Sequence, residues 1–262
     1  MSLCRTELDK SKEERDIWTI LIQALKALGR YDETLVELEL ARHFCPLPQF
    51  EAWTLEHYLQ MGCIPQAREI FDGLKNTLDV ASALRWGNQF LNAHDSKSAQ
   101  VCLDYIELYV EQKLKSSSQQ ASANLVRPES MAGNIITQDS PWLYRGPWLS
   151  LKARCAEMRG DLIEATTFYK QALSLNPLDP YLLLHLGQLT SDKEPELAQS
   201  LFERGTRIES MAPQAFLYLG DLFAKQKKWP EALAYVRKSL QLQPSDSVQR
   251  YYESILKLSQ PN

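Results

Sequence analysis

The 262-residue chain contains no Cys-x-x-Cys, no His-Glu-x-x-His and no glycine-rich phosphate loop. Its five cysteines, Cys4, Cys45, Cys63, Cys102 and Cys155, are odd in number and far apart, so neither a zinc knuckle nor a thioredoxin-like pair is available. His43, His57, His94 and His185 share no ligand spacing, and no metal site is expected. G-x-S-x-G and G-x-G-x-x-G are also missing, which leaves no catalytic residue and no cofactor indicated. Paired carboxylates such as Glu13 and Glu14 read as a solvated helix face. No apolar run approaches the roughly 18 residues of a membrane span. The opening MSLCRTELDKSKEERD lacks the apolar core of a secretory signal, the start is not Met-Gly, and the closing Ser-Gln-Pro-Asn is not a prenylation box. These features lead to the expectation of a cytoplasmic protein. Basic excess is lacking too: 29 Lys and Arg stand against 33 Asp and Glu, a net charge of −4, so there is no electrostatic footprint for nucleic acid.

What the chain does have is a period. Ala165, Ala198 and Ala232 are 33 and 34 positions apart, with Tyr169, Phe202 and Val236 four residues after each. Ala172, Gly205 and Ser239 repeat the same steps, as do Leu175, Ile208 and Leu242. Leu149, Leu183 and Phe216 are spaced by 34 and 33, followed at an offset of four by Ala153, Gly187 and Gly220. Self-similarity at this period marks stacked helix–turn–helix units. Leu149, Ala153 and Ala156 share one side of a helix by the i, i+4, i+7 rule. Gly160-Asp161 breaks that helix, and Ala165, Tyr169 and Ala172 line the returning one before Pro177 stops it. Small residues let two helices approach closely, and large ones fill the gap between them. Cys102 and Cys155 lie within such helices as small buried hydrophobes. His185, between Leu183 and Leu186, reads as a packed or groove-facing imidazole.

The pattern resembles the tetratricopeptide repeat (TPR), with repeats at 146–179, 180–212 and 213–246. The last is clearest, with Phe216, Leu219, Gly220, Phe223, Trp229, Ala232 and Pro244 in register. The middle one is a residue short in its inner turn, carries Thr190 where an aromatic is usual, and ends on Ser210 instead of proline. In the N-terminal part, Trp18, Leu21, Ile22, Leu25, Gly29, Tyr31, Leu38, Ala41 and Pro46 place one repeat at about 15–48. Trp86, Gly87, Phe90, Ala99, Leu103 and Ile106 place another near 80–113. Trp53, Ala67, Phe71 and Leu74, with a turn at Gly62 and Pro65, mark a degenerate repeat between them. The resemblance implies an all-α fold, a right-handed α-solenoid of stacked helix pairs.

The organisation read from this pattern is an N-terminal group of three repeats over 1–114, a linker at 115–140, and a C-terminal array over 141–262. The segment 115–140 is rich in Ser, Gln, Asn and Ala, includes Pro128 and Gly133, and shows no helical period, so a mobile loop is expected there. Ser140-Pro141 is a candidate phosphorylation site within it. Ser11-Lys-Glu-Glu14 has the form of a capping box. At the other end, Val248, Tyr251, Tyr252, Ile255 and Leu256 make one apolar stripe, opposite Gln249, Arg250, Glu253 and Lys257. An amphipathic capping helix at 247–259 is therefore expected, closing a complete array.

Function then falls to the groove. In the resembling family the first helix of each repeat lines the concave face. Carried onto this chain, its inward positions are Ser150, Arg154, Glu157, Tyr181, Leu184, Gln188, Gln214, Leu217, Asp221 and Lys225. Such a lining suits an extended segment or helix with one or two apolar anchors and balanced charge, and Tyr181 is the expected anchor. Leu184 and Leu217 could equally pack between repeats. The family's carboxylate clamp for chaperone C-termini needs converging cations. Of its matching positions, Ser150, Arg154, His185, Gln214 and Tyr218 offer one cation, and Thr19, Gln23, Ala81 and Arg85 again one, so no clamp is expected. The leading function is a non-catalytic adaptor or scaffold for a protein or peptide partner. Two alternatives are a regulatory subunit of an enzyme complex and, because 61–76 (MGCIPQAREIFDGLKN) resembles a pentatricopeptide repeat, RNA binding.

Overall fold

The computed structural model describes residues 2–123 and 144–260, which form fourteen α-helices and one 3-10 turn, with no strand among them. The chain divides into two compact units, Met1–Gly133 and Asn134–Asn262.

The N-terminal unit is a succession of antiparallel pairs: α2 (Arg15–Ala27) with α3 (Tyr31–Phe44), α4 (Pro48–Gln60) with α5 (Ile64–Leu74), and α6 (Val80–Asn92) with α7 (Ser96–Ala123), preceded by α1 (Ser2–Lys10). Helix α2 shows why the pairs form. Trp18, Leu21, Ile22 and Leu25 share one face, and all are buried against Leu38, Ala41 and Phe50. Pro48 and Pro65 sit in the first turns of α4 and α5, where a missing N–H costs nothing. Asp79 caps α6 by accepting from the Ser82 amide at 2.7 Å.

Two sequence expectations change here, and one helix is added to them. Residues 2–10 form a helix, α1, whose Leu8 joins the α2–α3 core. The capping box at Ser11 does not form: 11–14 is the turn between α1 and α2, Glu14 is the residue that precedes α2, and no side chain caps it. The turn is held instead by the Trp18 indole, whose Nε1–H donates to the Lys12 carbonyl at 2.8 Å. Finally, α7 continues through Ala123, so 115–123 is helical and no loop begins at residue 115. The rest of the expected linker, 124–140, with Arg127, Pro128, Gly133 and Ser140, lies outside the described residues, as does Pro141.

The C-terminal unit repeats the theme: α8 (Arg145–Met158) with α9 (Leu162–Leu175), α10 (Pro180–Thr190) with α11 (Pro195–Gly205), and α12 (Ala212–Lys225) with α13 (Trp229–Leu242), followed by α14 (Asp246–Ser259). Every small residue of the period is buried, and Tyr169, Phe202 and Val236 fill the spaces between helices. The closest approaches are at Gly187 and Gly220. A Cβ on Gly187 would stand 2.8 Å from Phe202 Cζ, and one on Gly220 would stand 3.2 Å from the Ala232 carbonyl oxygen. Leu175 and Leu242 repeat in sequence but are exposed at the ends of α9 and α13.

The short middle repeat loses its residue from the helix and not from the turn. Helix α10 ends at Thr190, whose hydroxyl donates to the Leu186 carbonyl at 2.7 Å, and the 191–194 connection follows. The other five hairpins each reverse through one left-handed residue: Gly29, Gly62, His94, Gly160 and Lys227. Helix α14 covers the end of the last pair with Val248, Tyr251, Tyr252 and Ile255. Leu256, expected in that stripe, is exposed at 39% because its position has rotated past the contact.

Candidate protein-binding groove

Along one face of the C-terminal unit, side chains of the first helices bridge from each pair to the next. The Arg154 guanidinium of α8 lies 5.2 Å from the centre of the Tyr181 ring of α10. Tyr181 stacks on His185 one turn later, with centroids 3.9 Å apart. His185 Nδ1 stands 3.8 Å from Glu157 Oε2, an electrostatic rather than a hydrogen-bond distance. The Tyr169 hydroxyl donates to the same carboxylate oxygen at 2.8 Å. From α12, Lys225 Nζ reaches Asp192 Oδ1 at 3.1 Å, beyond the end of α10. From α14, the Tyr251 hydroxyl donates to Asp221 Oδ1 at 2.9 Å.

The electrostatics follow from that arrangement. The His185 imidazole, with the Tyr169 hydroxyl beside it, holds the Glu157 carboxyl below the ordinary glutamate range against the opposing effect of burial. Burial pushes the Tyr169, Tyr181 and Tyr251 phenols up, so all three remain neutral donors. Arg154 and Tyr181 form a cation–π pair, a contact worth more when desolvated than when exposed.

Of the residues expected in the groove, Arg154, Glu157 and Tyr181 meet in one cluster, and Asp221 meets Lys225, with Oδ2 and Nζ 3.7 Å apart. Leu184 and Leu217 pack against the core that contains Phe202, Leu219 and Phe223, and Leu217 also faces outward. Gln188 and Gln214 are exposed and Ser150 is half-buried.

Sequence reading missed a recess of about 270 Å³ lined by Leu217, Tyr218, Asp221, Ser247, Val248 and Tyr251. Its signal was there: Val248 and Tyr251 stand 34 positions after Gln214 and Leu217, the groove register continued into the capping helix.

The N-terminal unit carries a comparable row. Lys26 of α2 lies 5.2 Å from the Trp53 ring of α4, and Arg85 of α6 pairs with Glu56 of α4 at 3.0 Å. In this row Lys26 and Arg85 are thus engaged, as Arg154 is in the C-terminal unit. A further pairing that sequence did not suggest is the two-pronged Arg68–Asp95 bridge at 2.7 and 2.8 Å. Asp95 is buried there and also accepts from the Ser98 hydroxyl. Among the described residues no three His, Cys, Asp or Glu side chains gather as metal ligands would. No helix among them is long and apolar enough to cross a membrane.

Antiparallel helix pairs, each packed on the next through a ladder of side chains, define a helical-repeat solenoid in each unit. Residues 193–247 match the tetratricopeptide repeat family, and the described residues as a whole have the fold of a helical-repeat protein. Solved structures agree on the fold. A tetratricopeptide repeat protein from Parabacteroides merdae superposes with a TM-score of 0.60 at 14% identity, covering 98% of this chain and 89% of that one. Pseudomonas aeruginosa pilF gives 0.57 at 13%, covering 92% and 96%. A chain of the APC/C Cut9–Hcn1 hetero-tetramer gives 0.61 at 13%; the match takes in 98% of this chain but only 45% of that one. No curated protein matches the chain in sequence.

Proposed function

We propose that the chain is a non-catalytic adaptor that binds a protein or peptide segment along the first-helix face of its C-terminal unit, as a cytoplasmic subunit of a larger complex. The observation that carries this reading is the side-chain ladder from α8 to α14. It is a strip in which cations, carboxylates and aromatic rings contact neighbours on adjacent helices, half-buried at Arg154, Glu157, Tyr181 and Asp221 and exposed at the Lys225–Asp192 link. Such a strip is preorganised, because its rotamers are fixed before a partner arrives. Its paired charges suit a segment of balanced charge, and its rings supply area at low entropic cost. The TPR fold supports the coarser statement that the chain serves protein interaction.

The test is affinity capture from the native host with the full chain and with the Tyr181→Ala, Arg154→Glu double variant. Loss of about 1–2 kcal/mol or more in partner binding is expected, the range of an interface hot spot, with helicity retained. Wild-type capture by a folded double variant rules out this surface.

A further inference from the structure

We propose that α14 and α12 together form a seat for one apolar side chain of a partner segment, with a lysine or arginine next to that side chain in sequence. The inference rests on the reading above that this face binds protein, and it assigns the chemistry of the segment. The recess between the two helices holds about 270 Å³. Pockets for free small molecules run to about 300–1,000 Å³, so this space suits a side chain of a segment lying across the face. Leu217, Val248 and the rings of Tyr218 and Tyr251 wall it, which calls for an aliphatic or aromatic occupant.

The charge comes from the rim. Asp221 is the one acidic side chain in the lining. Its Oδ1 accepts from the Tyr251 hydroxyl at 2.9 Å, whereas Oδ2 stands 3.7 Å from Lys225 Nζ, beyond hydrogen-bond reach. Lys225 is itself drawn 3.1 Å from Asp192 Oδ1. Two carboxylates therefore flank one ammonium, leaving excess negative charge and an acceptor oxygen beside an apolar hole. A cation adjacent to the anchor completes that set with a charge-assisted hydrogen bond.

The experiment uses the full chain and four fluorescent peptides of otherwise glycine–serine sequence, with Leu-Lys, Leu-Glu, Ser-Lys or Ser-Ser at the centre. Leu-Lys is expected to bind at least about tenfold more tightly than any of the other three. Asp221→Asn should abolish the preference of Leu-Lys over Leu-Glu while keeping that of Leu over Ser. Ser247 is exposed in the first turn of α14, so Ser247→Arg should fold, fill the recess, offer its own guanidinium to Asp221 and remove both preferences. Equal binding of the four peptides, no binding of any, or an unchanged profile in both variants overturns the seat. Native-partner capture that is lost in the Tyr181→Ala, Arg154→Glu variant but intact in Ser247→Arg overturns the seat and leaves the adaptor reading standing. Capture intact in both overturns that reading.

Discussion

Two residues show how tightly the repeat specifies its contents. At Gly220 an added methyl meets Val236 Cγ2 and the backbone of α13, neither of which can swing aside. At Gly187 it meets the edge of the Phe202 ring, which is 2% exposed and hemmed in. Overpacking of this kind costs about 1–3 kcal/mol, so Gly220→Ala and Gly187→Ala should each lower the denaturant midpoint with the m-value unchanged. His57 is a different case. It is fully buried in α4, its Nε2–H donates to the Tyr31 carbonyl at 2.8 Å, and its Nδ1 has no partner. Burial, with the nearby Lys26 charge adding to it, pushes the imidazole below its ordinary 6.5; the Tyr31 hydrogen bond and Asp32 oppose them without prevailing. The unfolded chain therefore binds a proton that the folded chain refuses. Stability from this group is complete above about pH 6.5 and falls as the pH drops from there toward the lower folded value. A melting series from pH 7.5 to 5 should show this loss, and His57→Gln should flatten it.

At the level of elements, the pairs were legible and their edges were not. Ala165, Ala198 and Ala232 announced the interior because a helix crossing that tolerates only a methyl must repeat wherever the crossing repeats. Leu175 and Leu242 repeat just as faithfully yet lie outside, since period alone does not say which side of a helix end faces in. Helix α1 escaped notice because a single buried leucine, Leu8, anchors it, and one residue makes no period. The groove was half readable. Arg154 and Tyr181 were placed by register, but the recess needs α14, which polarity pattern presented as a cap. That helix is held by Ile255, which is 2% exposed against Leu219, Phe223 and Val236. Ile255→Ala should cost about 2–4 kcal/mol, the usual range for emptying a core site of this size. The loss should appear in thermal unfolding of the 134–262 unit and leave the N-terminal unit untouched.

The molecule as a whole divides into two compact units, each with its own buried clusters. Fragments 1–133 and 134–262 should each give a helical circular-dichroism spectrum and a cooperative melt; a fragment that remains unfolded would show that the division is not one of stability. In a stack where each repeat touches only its neighbours, local changes add nearly independently. The hairpin turns make that additivity useful. Three of the five left-handed positions are glycine, but His94 and Lys227 carry side chains at φ 59° and 58°. A left-handed L-residue costs roughly 1–2 kcal/mol, and glycine's extra freedom in the unfolded chain returns about 0.4–1 of it. His94→Gly and Lys227→Gly should thus each yield a net gain of about 0.5–1 kcal/mol, one in either unit. Thermostability can accordingly be engineered into this protein through its reversals alone, one melting transition at a time, without altering a side chain of the ladder.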